Sequence, residues 1–247
     1  MKVVTVASLK GGAGKSTLAI YLAREFQRQF RTLIIDADPN NNTSDFVLRN
    51  LGAEQFGPTL YGLLRGSKED AVRKPDDGPD IIPCDVSLHK IGAEMNGNPG
   101  GLLRLSTALG RMDYERVVID TPPSLSFEFR AGLYTANTVV VPIAYSRWTM
   151  QALEGLLEEI QNVAEFAGQA PHIAVIPFCV SQKEIEWIES MNIPEVFKAY
   201  GKIHLIQSAV KRSAAYRTAA NARKWLSPLK SEIFQNIVKE IEEIWQQ

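Results

Sequence analysis

The nine residues Leu9-Lys10-Gly11-Gly12-Ala13-Gly14-Lys15-Ser16-Thr17 constrain this chain more than any other part of it. Before them runs Lys2-Val-Val-Thr-Val-Ala7, a β-branched stretch of strand character. After them, Ser16 to Gln29 places Leu18, Leu22 and Phe26 at helical spacing. A glycine-rich loop between a strand and a helix turns successive backbone N–H groups inward on an anion, and the helix N-terminus adds the positive end of its dipole. Lys15 is placed to reach the β- and γ-phosphates of a nucleotide, and the Ser16 hydroxyl to ligate Mg2+. A K-G-G-x-G-K-[ST] string arises by chance in a chain of this length about once in 10⁴ to 10⁵ sequences, so a plain glycine turn explains it poorly.

The rest of the chain repeats the strand-then-helix alternation. Thr32–Asp36, Arg116–Asp120, Thr138–Pro142 and Ile173–Pro177 are short, continuously apolar runs, as expected of strands covered on both faces. Gly101–Met112 and Met150–Phe166 read as amphipathic helices, the second with Leu153, Leu156, Leu157 and Ile160 on its buried side. Gln55–Asp80, rich in Gly, Pro and charge, reads as loops and short helices at a sheet edge, and Leu229–Gln247 as one helix that starts after Pro228. The 247 residues suit a single domain of α/β class: a three-layer, mostly parallel twisted sheet with helices on both faces.

The loop departs from the common phosphate-binding pattern, which has glycine at position 9; here Leu9 stands there and Lys10 follows. Two further motifs lie at strand ends, Asp36-Ala-Asp38-Pro-Asn40 and Asp120-Thr-Pro-Pro-Ser124. Together they resemble the deviant Walker A loop, the switch I segment and the Walker B and switch II segment of the ParA/MinD family of P-loop ATPases. Ala131–Pro142, Ala152–Leu156 and Ser208–Asn221 are similar to later parts of that family, so the resemblance covers nearly the whole chain. It implies that Gly11, Gly12, Ala13, Gly14, Lys15, Ser16 and Thr17 hold ATP and that Lys10 crosses to the nucleotide of a partner subunit in a sandwich dimer. Asp38 would orient the attacking water, and Asp120 would hold Mg2+ through water. Asn40 replaces the Gln found in many partition ATPases of the family. For adenine, Ile176, Pro177 and Phe178 at the end of a strand are the candidates. With no helix-turn-helix segment before the loop, the chain resembles the short, non-autoregulatory partition type.

The branches of that family differ in what the ATP dimer sits on. Cys84 and Cys179 are far apart and form no C-x-x-C, which disfavours a metal cluster or a disulfide and reads as plain core cysteines. His89, His172 and His204 are scattered singly, with no metal-ligand spacing. No apolar run reaches the length of a membrane span or a signal peptide core, so the chain reads as cytoplasmic. The last helix does carry an apolar stripe, Ile233, Phe234, Ile237, Ile241, Ile244 and Trp245. From Ser231 onward, however, it has four glutamates against Lys239, which anionic lipid would repel.

Net charge is −1, yet its distribution is uneven. Lys198, Lys202, Lys211, Arg212, Arg217, Arg223, Lys224 and Lys230 fall within 33 residues that hold no Asp or Glu, while the other 214 positions carry −9. A solvated face usually mixes signs, so this segment suits a phosphate backbone without sequence preference. The combined expectation is a Mg2+-dependent ATPase that dimerises around ATP, binds double-stranded DNA nonspecifically on the nucleoid, and is released when a ParB-like or cargo-adaptor partner stimulates hydrolysis. The alternatives are a MinD-like membrane ATPase and a regulatory ATPase switch that does not touch DNA. Lys15→Ala is expected to abolish nucleotide binding, measured by titration calorimetry; micromolar ATP affinity in that variant would remove the loop from the site.

Overall fold

The computed structural model describes residues 1–49, 57–95, 98, 100–144 and 149–246. In chain order the elements are β1 (Lys2–Val6), α1 (Lys15–Phe26), β2 (Thr32–Asp36), α2 (Asn42–Val47), α3 (Leu60–Arg65), β3 (Asp80–Ile82), α4 (Ile91–Met95) and α5 (Leu103–Leu109). There follow β4 (Arg116–Asp120), α6 (Phe127–Thr135), β5 (Thr138–Ile143), α7 (Thr149–Ala167), β6 (His172–Val180), α8 (Gln182–Ser190) and α9 (Ile193–Val196). The chain ends in β7 (Ile203–Leu205), β8 (Val210–Lys211), α10 (Ala214–Asn221) and α11 (Pro228–Ile244). The sheet order is β3-β2-β4-β1-β5-β6-β7, with β8 paired to the far end of β6, and these pairings are parallel. Parallel strands deliver their C-terminal ends to one rim, so the loops after β1, β2 and β4 meet at the centre of that rim.

Side chains alternate between the two faces of the sheet, which is why the strands read as uninterrupted apolar runs. Val4, Val6, Ile34, Val118, Val140 and Ile176 pack under α1, α2 and α11. Val3, Leu33, Ile35, Val117, Ile119, Val139 and Val175 face the other layer, α3 to α9. The expected helices at 16–29, 101–112 and 150–166 appear as α1, α5 and α7, and Leu18, Leu22, Phe26, Leu153, Leu156, Leu157 and Ile160 are buried. Within 55–80 the chain forms α3 and loops and ends at edge strand β3; Gln55 and Phe56 lie outside the described residues, as does Gln247. Short β3, β7 and β8 carry no pattern long enough to read from sequence.

The last helix has its apolar face committed inside the protein. Phe234, Ile237 and Ile241 are fully buried, and Phe234 stacks on Tyr21 of α1 at 4.9 Å. The far end is clamped: Glu242 takes a two-pronged bond from Arg116 at 2.7 and 2.9 Å, and Trp245 donates to Thr138 Oγ1 at 2.7 Å. No helix among the described residues is long and apolar enough to cross a membrane.

Two expectations about isolated residues change. His172 and His204, 32 positions apart, meet across β6 and β7 with ring nitrogens 3.2 Å apart. Burial and the neighbouring cations push both below the ordinary histidine range. Cys84 is a core residue, as expected, but Cys179 is half-buried with φ 57° at a bulge in β6. Phe234→Ala is expected to lower stability by about 3–5 kcal/mol, read from urea unfolding, because it empties the centre of the α1/α11 layer. A change under about 1 kcal/mol would show that α11 does not depend on this contact.

Candidate functional site

The P-loop leaves β1 at the rim and feeds directly into α1. Gly12 (φ 73°) and Gly14 (φ 88°) adopt left-handed backbone, which a side chain disfavours. Gly14 has a second reason to be glycine: a Cβ there would sit 2.3 Å from the Phe178 ring. Phe178 is 1% exposed and forms the floor of the loop, with Tyr216 of α10 beside it at 6.5 Å. Pro177 and Phe178 are among the adenine candidates named above. Both are buried strand residues; the Phe178 ring supports the loop and also lines the small apolar pocket behind it.

Above the loop lies a cleft of about 680 Å³, in the range of small-molecule sites. Gly11, Gly12, Gly14, Lys15, Ser16 and Thr17 line one side of it, and Asp38, Asn40, Asn42 and Pro123 the other. Ala13 faces a separate small apolar pocket behind the loop, with Ser8, Lys10 and Cys179. Lys15 is only 6% exposed. Burial lowers its pKa, while the Asp120 and Asp38 carboxylates hold the proton on. Lys10, in contrast, is exposed at the lip of the loop.

The two strand-end motifs supply carboxylates that differ in their surroundings. Asp36 and Asp120 are register partners on β2 and β4 and are wholly buried; desolvation raises both above the usual carboxylate range, with the Asp120 charge adding to it at Asp36 and the Asp38 charge at Asp120. Asp36 Oδ2 accepts from the Ser44 backbone N–H and hydroxyl, each at 2.7 Å, and is thereby fully engaged in anchoring α2. Asp120 Oδ2 accepts from Thr43 Oγ1 at 2.7 Å, and the Ser16 hydroxyl stabilises the same carboxylate. Asp120 Oδ1 is buried with no hydrogen-bond partner among the described residues. An orphaned carboxylate oxygen beside a Ser hydroxyl fits a hydrated divalent cation, so Ser16 and Asp120 could hold magnesium here. Asp38 is 6% exposed and opens into the cleft; the Asn40 backbone and side-chain amides both donate to its Oδ1 at 3.0 Å. Asn40 thus has a defined part in holding Asp38.

Residues that sequence reasoning did not assign to the site also line the cleft: Ala220 and Asn221 at the end of α10, Asp45 and Phe46 on α2, and Arg223. Only the polar run Asn40 to Ser44 directly after Asp38 hinted at α2. The basic segment, expected as one surface, is divided. Its eight cations are exposed, but β7 pairs with the start of β6 (Ile173↔Ile203) and β8 with its end (Val180↔Lys211). Lys198 and Lys202 are therefore separated from Lys211 by roughly 20 Å along the strand. Lys198 pairs with Glu195, Arg212 with Glu184 and Arg223 with Asp45. Lys211, Arg217, Lys224 and Lys230 have no ion pair among the described residues. Gly14→Ala is expected to weaken ATP binding at least about tenfold, since it combines backbone strain of about 1–3 kcal/mol with the ring clash. Adding Phe178→Ala should recover part of the loss, and unchanged ATP affinity in the single variant would show the loop geometry to be irrelevant.

Comparison with known proteins places this geometry. The family model described as "AAA domain" matches residues 1–173. The chromosome-partitioning ATPase Soj of Thermus thermophilus is 28% identical over 226 residues, covering 91% of this chain and 86% of that protein. The maintenance of carboxysome distribution protein A of Synechococcus elongatus is 31% identical over 186 residues, covering 72% of each. Among solved structures, the Cyanothece McdA(D38A)-ATP complex superposes with a TM-score of 0.84 at 25% identity, over 100% of this chain and 96% of that one. With these relatives, a parallel sheet and a glycine loop facing strand-end carboxylates, the chain belongs to the ParA/MinD family of P-loop ATPases.

Proposed function

We propose that this chain is a ParA-type ATPase that closes as a dimer around ATP and Mg2+, binds DNA without sequence preference in that state, and lets go on hydrolysis. The observation that carries this reading is the cleft itself: Lys15, Ser16 and Asp38 line it, Asp120 with its unpartnered Oδ1 lies buried beside Ser16, and Lys10 stands exposed on the loop. Magnesium, when bound, neutralises charge on the phosphates. The chain's own residues do the rest. The loop N–H groups and Lys15 hold the phosphates, and Asp38, fixed by Asn40, is aimed where an attacking water would stand. Lys10 is free to reach across a dimer interface.

The DNA-facing surface narrows to Lys211, Arg217, Lys224 and Lys230. Arg212 is neutralised by Glu184, and Lys198 and Lys202 lie toward the other end of the sheet. Partners follow from the relatives' names in outline only: one is a chromosome-partitioning ATPase and another a carboxysome-distribution protein, so a ParB-like protein or another cargo adaptor is the proposed stimulator. Such a protein would work in the cytoplasm, on the nucleoid. The membrane alternative is disfavoured because the stripe that would enter lipid is the buried core face of α11.

Asp38→Ala is expected to bind ATP and remain dimeric, with light scattering giving twice the monomer mass; a monomer in saturating ATP would count against the sandwich dimer. For wild type with ATP, affinity for duplex DNA should fall with salt at a log–log slope of about −0.9 per phosphate contacted. Arg217→Glu should weaken binding to all sequences alike. ATP-dependent dimers that show no salt-sensitive DNA binding would favour the regulatory switch, and binding to anionic vesicles in place of DNA the membrane reading.

A further inference from the structure

Four consecutive residues of α2 reach three different parts of the protein. Thr43 donates to Asp120, and Ser44 holds Asp36. Asp45 Oδ1 lies 2.5 Å from Arg223 Nη2, and the Phe46 ring meets Trp225 edge-on with centroids 5.0 Å apart. One turn further along the chain, Arg49 lies over the same indole at 5.7 Å. Arg223 and Trp225 belong to the connection between α10 and α11, and Arg223 lines the cleft with Ala220 and Asn221. One short helix therefore joins the metal-side carboxylate to the end of the helix that bears Arg217.

The connection also carries two marks of tension. Arg223 has φ 49°, a left-handed conformation that disfavours a residue with a Cβ. Trp225 Nε1 and Arg49 Nη1 are buried with no hydrogen-bond partner among the described residues, and such groups favour a rearrangement that satisfies them. The grip on the other side is polar and half-exposed: the Asp45 and Arg223 side chains are 49% and 48% exposed. A contact of that kind breaks and re-forms readily.

We propose that Arg223 is a latch on the nucleotide cleft rather than a DNA contact. Through Asp45 it ties the end of α10 to the helix that follows Asp38, closing one wall of the cleft. Nucleotide occupancy thereby sets where α10 and its basic residues stand. The part that concerns DNA rests on the function proposed above; the latch on the cleft does not.

The test measures release of a fluorescent ATP analogue by stopped flow. The proteins are wild type, Asp45→Ala, Arg223→Ala, the double variant, and the swapped pair Asp45→Arg with Arg223→Asp. Each single variant should speed release by about three- to fivefold, the range open to a half-exposed ion pair. The double should be no faster than either single, and the swap should recover much of the loss; thermal melting by circular dichroism checks that each variant folds. Unchanged release in Arg223→Ala, or a double variant equal to the product of the singles, overturns the latch. In DNA titrations Arg223→Ala should leave the salt slope as in wild type and shrink the affinity ratio between the ATP and ADP forms. A slope shallower by about 0.9 with the ratio intact would make Arg223 a phosphate contact and overturn the proposal. Should wild type bind no DNA with ATP, the proposed function fails while the release measurements still decide the latch.

Discussion

Two carboxylates buried side by side set the conditions for the rest of this structure. Asp36 and Asp120 end adjacent parallel strands in register, with neither exposed to solvent, and burial raises the free energy of ionising each, the Asp120 charge adding to it at Asp36 and the Asp38 charge at Asp120. Such a pair persists only where the surroundings offset it. Here the offset is local: Ser44 gives Asp36 two donors, Thr43 and Ser16 attend Asp120, and Lys15 stands within reach of the same field. What is left over, the bare Oδ1 of Asp120, is the electrostatic invitation to a cation. The site is thus preorganised for positive charge before any ligand arrives.

That arrangement also explains why α2, only six residues long, matters more than its length suggests. Its first turn is held by both carboxylates, so it cannot shift without disturbing the metal side of the cleft. Its outer face holds Arg223 and Trp225, so it cannot shift without disturbing the wall on which α10 ends. Phe178 plays the matching part on the other side, filling the space beneath Gly14 and touching Tyr216 of α10. Nucleotide loop, switch segment and basic helix are in this way packed around one small volume.

Charge follows the same logic of location. A net of −1 describes no face of the molecule, because acidic and basic residues are segregated along the chain. The folded protein segregates them again, and differently. The sheet pulls Lys198 and Lys202 away from Lys211, and ion pairs to Glu184 and Asp45 take Arg212 and Arg223 out of the available positive surface. A run of like charge in sequence is a statement about composition; only the fold turns it into a field with a direction.

The sequence by itself determined the class of fold, the main strands in their order along the chain, the phosphate loop and the positions of the strand-end motifs with Asp38 and Asp120. These depend on local patterns: β-branched runs, helical spacing, and glycines whose backbone freedom is needed where they stand. Tertiary structure alone decided the rest. It put Phe178 beneath Gly14 as the floor of the loop, brought His172 to His204, and gave Thr43 and Ser44 their carboxylates. It also drew Arg223 from a basic run into the nucleotide cleft. The physical reason is the same in each case: these contacts join residues from about 8 to 178 positions apart, and their partners are chosen by which strand ends and helix faces the parallel sheet brings together, a choice that no local pattern encodes.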